Sequence, residues 1–130
     1  MTFFYYFKSY QHKIQAHYLP VRKVMFSSAG QMLWTASDDR HIGVFDVKTG
    51  LNVNPYSHAG MCTSLDLSSD KHHVAVATSD HSVTYWDMAM QRRLQVLDAP
   101  HTEYVWDVKF DETGKKIVSV GDDGIIQIYE

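Results

Sequence analysis

From residue 20 onward, short runs of apolar and β-branched residues alternate with compact clusters of Gly, Asp, Ser and Lys. In order the runs read PVRKVMF, QMLWTAS, HIGVFDV, LNVNPY, GMCTSLDLS, HHVAVAT, SVTYWDM, RRLQVLD, EYVWDVKF, KIVSV and IIQIY. Each has the length and composition of a strand, and the clusters between them are turn formers, among them Lys48-Thr49-Gly50, Ser69-Asp70-Lys71 and Asp111-Glu112-Thr113-Gly114. No segment carries an apolar stripe at helical period over a dozen residues, so the pattern predicts an all-β chain. MLWTA, HVAVAT and KIVSV are apolar on both faces, which requires a cover on each side of the sheets that contain them.

The runs recur as a unit. Asp39, Asp80 and Asp123 each sit in a tight polar turn, and seven residues later come Asp46, Asp87 and Glu130, directly behind Phe45, Trp86 and Tyr129. A histidine precedes each unit, at His17, His58 and His101, and both the aspartates and the histidines step by 41 and then 43 residues. The units span residues 12–57, 58–100 and 101–130, and the last stops where its fourth strand would begin. Four-stranded sheets packed face to face at this period predict a β-propeller, here about three blades in an open arc. Such an arc exposes two faces and unpaired strand edges, so self-association or marginal stability is expected of the isolated chain. Residues 1–11 stand outside the repeat. TFFYYF is a candidate edge strand for the last blade, and HKIQAH reads as the end of a strand leading into His17.

Composition and charge narrow the function. Twelve basic and 15 acidic side chains in 130 residues leave a formal charge of -3, which argues against a polyanionic partner, and 45% hydrophobic residues suffice for a packed core. Cys62, the single cysteine, falls at an apolar strand position, as a buried thiol in a reducing compartment would. The N-terminus lacks the charge pattern and cleavage site of a signal peptide and its apolar run is too short to span a bilayer. Eight histidines raise the question of a metal, but His72 and His73 are adjacent on a strand and point to opposite faces, while His41 and His81 follow turn aspartates as solvated loop residues. Asp38-Asp39 and Asp122-Asp123 are accounted for by their turns. With no G-x-S-x-G, H-E-x-x-H, cysteine pair or phosphate-binding glycine loop, the sequence predicts no catalytic residues, no metal and no cofactor.

The order His, strand-borne Ser or Thr, turn Asp and aromatic-Asp pair resembles the WD-repeat family. The resemblance implies a hydrogen-bonded tetrad in each blade: His17, Thr35, Asp39 and Phe45; His58, Asp80 and Trp86, with Val76 where a hydroxyl is expected; and His101, Ser119, Asp123 and Tyr129. Phe45 has no donor to contribute. It also implies that the positions just after each histidine and each turn Asp lie on one partner-binding rim, namely Pro20 and Arg22, Met61 and Thr63, Tyr104 and Trp106, with Arg40 and His81. For Trp106, burial between blades is the competing expectation. Over about residues 12–130, LPVRKVMFS, TASDDRHIGVFDV, HAGMCTSLDLSSDKHHVAVATSDHSVTYWD and most specifically VWDVKFDETGKKIVSVGDDGIIQIYE are similar to the C-terminal repeats of the WD-repeat subunit of the superkiller RNA-decay complex, which is shared with the polymerase-associated factor complex. That likeness implies a non-catalytic scaffold in nucleus and cytoplasm, docked on a helical-repeat subunit and a helicase, with neither nucleic acid nor membrane bound directly. The other reading is a WD-repeat adaptor in a ubiquitin ligase or chromatin complex.

Overall fold

A computed structural model describes residues 13–27, 30–53, 56–88, 90, 92–97 and 101–130. Among them the chain forms eleven strands: β1 (Val21–Phe26), β2 (Met32–Ser37), β3 (His41–Asp46), β4 (Tyr56–Ser57), β5 (Cys62–Leu67), β6 (His73–Thr78), β7 (Val83–Asp87), β8 (Arg92–Val96), β9 (Val105–Phe110), β10 (Ile117–Gly121) and β11 (Ile126–Tyr129). They pair antiparallel into three sheets, ordered β1-β2-β3-β4, β5-β6-β7-β8 and β9-β10-β11. The all-β partial propeller that the repeat predicts is therefore present, with a third blade of three strands and an arc that does not close.

The fourth strand of the first blade is present and short: among the described residues LNVNPY supplies the bridge between Phe45 and Asn52 and, with Tyr56, the start of the two-residue β4. One local expectation fails. Residues 13–17 form no strand: Ile14 and Ala16 are half-buried beside Phe45 and Leu51 without joining a ladder. The proposed edge strand at residues 1–11 lies outside the described residues.

The sheets stack through two apolar joints. Trp34, Ala36, Ile42 and Val44 of the first blade meet Cys62, Leu65, Leu67, Val74 and Val76 of the second. On its other face the second blade presents Ala75, Ala77 and Val83 to Val105, Val108 and Ile117 of the third. Every residue of β5 is buried, which is why this strand carries no clean polar alternation. Polar bonds cross the second joint as well: Ser64 Oγ donates to Asp107 Oδ1 at 2.6 Å, Phe110 N–H to Asp66 Oδ2 at 2.7 Å, and the Thr63 hydroxyl to the Val105 carbonyl.

The repeat extends to the backbone. Gly30, Lys71 and Gly114 occupy equivalent turns, each closing an N–H onto the carbonyl three residues back, and their φ angles are 67°, 62° and 74°. Arg40, His81 and Gly124 follow the three turn aspartates at 71°, 75° and 75°. A side chain in this left-handed region crowds the following carbonyl, and glycine relieves that strain. Replacing exposed Lys71 by Gly is accordingly expected to raise stability by about 1 kcal/mol, read as a shift of the urea midpoint with unchanged m-value.

Candidate functional site

Each inner strand pairs with its neighbour through one bulge, and the residue passed over in the register is Arg22, Thr63 or Trp106. A bulge turns its extra side chain away from the ladder, so these equivalent positions are aimed by the backbone itself. Beside them lie the histidines and turn aspartates that hold the blade corners.

The corner of the third blade is complete. His101, 2% exposed, has Nε2 at 2.7 Å from Ser119 Oγ and Nδ1 at 3.0 Å from Asp123 Oδ2. Asp123 also accepts the N–H groups of Thr102 and Ile125. Burial raises the Asp123 pKa, but the bonds from His101, Thr102 and Ile125 outweigh it and hold the carboxylate below its ordinary range. Gly121 makes this approach possible, since a Cβ there would lie 2.6 Å from His101 Nδ1. Tyr129 packs half-buried against the second joint.

The first corner repeats the arrangement. His17 Nδ1 is 2.8 Å from Asp39 Oδ2 and Nε2 is 2.6 Å from Thr35 Oγ1, and Asp39 accepts N–H bonds from Tyr18 and His41. Here too burial raises Asp39 while these bonds, His17 foremost, lower it further. Phe45 meets the His17 ring edge-on at 6.4 Å and takes the aromatic place without a polar contact.

The second corner departs from the expected tetrad. His58 and Asp80 are not hydrogen-bonded: the Thr78 and Ser82 hydroxyls capture the Asp80 carboxylate, and His58 Nδ1 is buried without a partner. Thr78 stands where Gly121 stands in the third blade, and together with Ser82 it takes the carboxylate that the histidine holds there. Nor does Val76 leave a bare gap, because Thr84 on β7 supplies the hydroxyl instead. Trp86 Nε1–H donates to Thr84 Oγ1 at 2.9 Å, and Thr84 Oγ1 lies 3.4 Å from His58 Nε2. Thr84 was legible in SVTYWD as the residue two before Trp86 and hence on its face of the strand. Burial pushes the His58 pKa down to about 4, against the Tyr56 carbonyl and Asp80. A cavity of about 10 Å³ adjoins His58, Trp34 and Trp86, room for one water and no organic ligand. Trp34 Nε1, on the same wall, is also buried without a hydrogen-bond partner.

The rim residues separate into accessible and buried. Trp106 is 50% exposed in this open arc, and its Nε1–H donates to Asp122 Oδ1 at 3.2 Å. Tyr104 packs edge-on to it at 5.5 Å, and the Tyr104 carbonyl receives the Asp122 N–H. Arg22, the counterpart of Trp106, makes a two-pronged bond to Asp38, the counterpart of Asp122, at 2.6 and 2.8 Å. Arg40 and half-buried Met61 flank one shallow groove with Leu19 and His41. His81 is half-buried and its carbonyl receives the His101 N–H. Thr63 is no rim residue: it is 8% exposed and its hydroxyl is spent on the Ala77 and Val105 carbonyls. Sequence reasoning missed Asp38 and Asp122 as the groups that brace the rim.

The model of the WD domain, G-beta repeat, matches residues 8–46, 52–87 and 91–130, nearly the whole chain. This chain belongs to the WD-repeat family. Among curated relatives, WD repeat-containing protein SL1-17 of Schistosoma mansoni is 40% identical over 119 residues, 90% of this chain and 39% of that protein. Pre-mRNA-processing factor 17 of Homo sapiens is 26% identical over 88% of this chain and 20% of its own length, and COMPASS component SWD3 of Saccharomyces cerevisiae 26% over 90% and 37%. The chain thus spans between a fifth and two fifths of these relatives. None of the three names denotes an enzyme. Among the described residues no group of three His, Cys, Asp or Glu side chains is placed to hold a metal ion, and no helix is long and apolar enough to cross a membrane.

Proposed function

We propose that this chain is a non-catalytic WD-repeat scaffold that binds a partner protein on its rim, with Trp106 and Tyr104 as anchors. The observation that carries the proposal is the pose of Trp106: a large aromatic ring set on a bulge, half in solvent, and fixed from beneath by Asp122. Aromatic side chains held rigidly at a surface bind with little loss of conformational freedom, and they dominate protein interfaces. The corner histidines and aspartates hold the blades and carry out no chemistry.

The assembly we favour is the superkiller complex, where the chain docks on a helical-repeat subunit and positions a helicase for cytoplasmic 3′-to-5′ messenger RNA decay. A second role in the nuclear polymerase-associated factor complex goes with the same reading. The likeness of the last unit to superkiller WD-repeat subunits supports it. The alternative is an adaptor in a chromatin, ubiquitin-ligase or splicing assembly, favoured by the relatives named for COMPASS and pre-mRNA processing. Affinity purification decides between them: recovery of a helical-repeat protein with a helicase supports the first, and recovery of histone-modifying or splicing subunits in their place supports the second. Substituting Tyr104 and Trp106 with Ala is expected to weaken capture of the recovered partner by roughly thirtyfold while leaving the melting temperature unchanged. A parallel fall in both quantities would place the pair in the core and remove the anchors.

A further inference from the structure

The joint between the first two blades holds two buried polar atoms that no protein group satisfies. Trp34, 5% exposed, keeps its Nε1–H without an acceptor, and His58 Nδ1 is likewise buried without a partner. Both side chains line one cavity of about 10 Å³, walled by Ile42, Val74, Val76 and the Tyr56 and Trp86 rings. A buried polar group left unpaired destabilises a fold, so native interiors pair such groups or hydrate them. The other two corners show what this imidazole nitrogen ordinarily meets: Nδ1 of His17 and of His101 lies against the turn aspartate, at 2.8 and 3.0 Å. In the second blade Thr78 and Ser82 hold that carboxylate, and the place opposite His58 Nδ1 falls to another group.

We propose that one internal water occupies this cavity, accepting the Trp34 Nε1–H bond and bonding to His58 Nδ1. Volume and chemistry select it. A space of about 10 Å³ is what a single water needs, provided that at least two polar partners face it, and the two orphaned nitrogens supply them. An indole is a donor only, so the occupant must accept. The imidazole is neutral at physiological pH, its pKa held at about 4 by burial, and one of its nitrogens donates while the other accepts. Water does both, and so fits either tautomer. It takes in the second blade the part that the turn aspartate plays in the other two. It also carries a chain of bonds across the joint, from Trp34 of the first blade through His58 to Thr84 Oγ1, 3.4 Å from His58 Nε2, and the Trp86 indole of the second. The site lies between two adjacent blades, away from both ends of the arc, and is independent of the rim.

The test is magnetic cross-relaxation between water and the indole protons of the native chain, isotope-labelled at its three tryptophans. Trp34→Phe assigns the Trp34 signal by its loss. A peak linking Trp34 Nε1–H to the water line is expected, with the sign that contact with a long-lived water gives and proton exchange does not. A Trp34 proton without such a peak, or with an exchange peak alone, would overturn the proposal. His58→Phe then tests the bridge: the Trp34 water peak is expected to vanish, and one that persists in the folded variant would show the indole holding its water without the imidazole, against the proposal. A second measurement needs the native chain alone. The carbon-bound Hε1 of His58 adjoins Nδ1 and does not exchange, so a water peak at that proton is expected from direct contact, and its absence would also overturn the assignment.

Discussion

His101→Ala is expected to destabilise the chain by about 3 to 4 kcal/mol, whereas His58→Ala, at the equivalent position, is expected to cost about half as much. Both substitutions remove a buried imidazole, so the loss of packing is similar. The difference lies in what is left behind. Without His101, the Ser119 hydroxyl and the Asp123 carboxylate lose a partner at 2.7 and 3.0 Å inside the structure, and the strip holding strand β10 to the segment before β9 is gone. Without His58, Thr84 keeps its bond from Trp86, Asp80 keeps Thr78 and Ser82, and an unpartnered buried nitrogen disappears. Urea unfolding of the two variants beside the native chain measures the gap. Equal losses would mean that the corner of the second blade is as tightly bonded as that of the third, against the distances. Since domains are stable by only about 5 to 15 kcal/mol, the His101 variant is expected to sit near the limit of folding at 37 °C.

Stability is also expected to fall as the pH drops from about 6.5 to about 4, through His58. Burial holds this imidazole near 4 in the folded chain, against an ordinary value of 6.5. Between those values the unfolded chain binds more protons than the folded one, so lowering the pH favours unfolding. Above the window both states are neutral and His58 contributes no pH dependence; below it the loss is complete, at about 3 kcal/mol. The depressed aspartates act elsewhere. Asp39, Asp80 and Asp123 have folded values below the ordinary 3.8, so the stability they add is present above that pH and is lost as the pH falls through their folded values. Denaturant midpoints measured at steps from pH 7.5 to 3 separate the two ranges. His58→Phe is expected to flatten the upper range and leave the lower one; an unchanged slope between 6.5 and 4 would show that another group titrates there.

The strands, their order and the three-blade count were legible because they rest on a period that the chain repeats three times, and each repeat votes for the same pattern. The corner histidines were legible for the same reason. What the period could not carry was the exchange of partners inside one blade. Asp80 is pulled away by hydroxyls two residues to either side, and Thr84 replaces the strand hydroxyl that Val76 lacks, so the second corner depends on local competition among short polar side chains. Thr63 misled because Arg22 and Trp106, its counterparts, are long enough to leave the bulge while a threonine is short enough to bond the two carbonyls beneath it. The fourth strand of the first blade is shorter than the run LNVNPY suggested, a bridge at Asn52 and the two-residue β4.

Cys62 has no exposure and lies in the joint between the first and second blades, and burial lifts its thiol to about 12. A thiol must be both reachable and ionised to react, so this one is chemically silent while the two sheets stay together. Its rate of alkylation therefore clocks how often those sheets part, giving the arc a built-in reporter of its own opening that requires no added label.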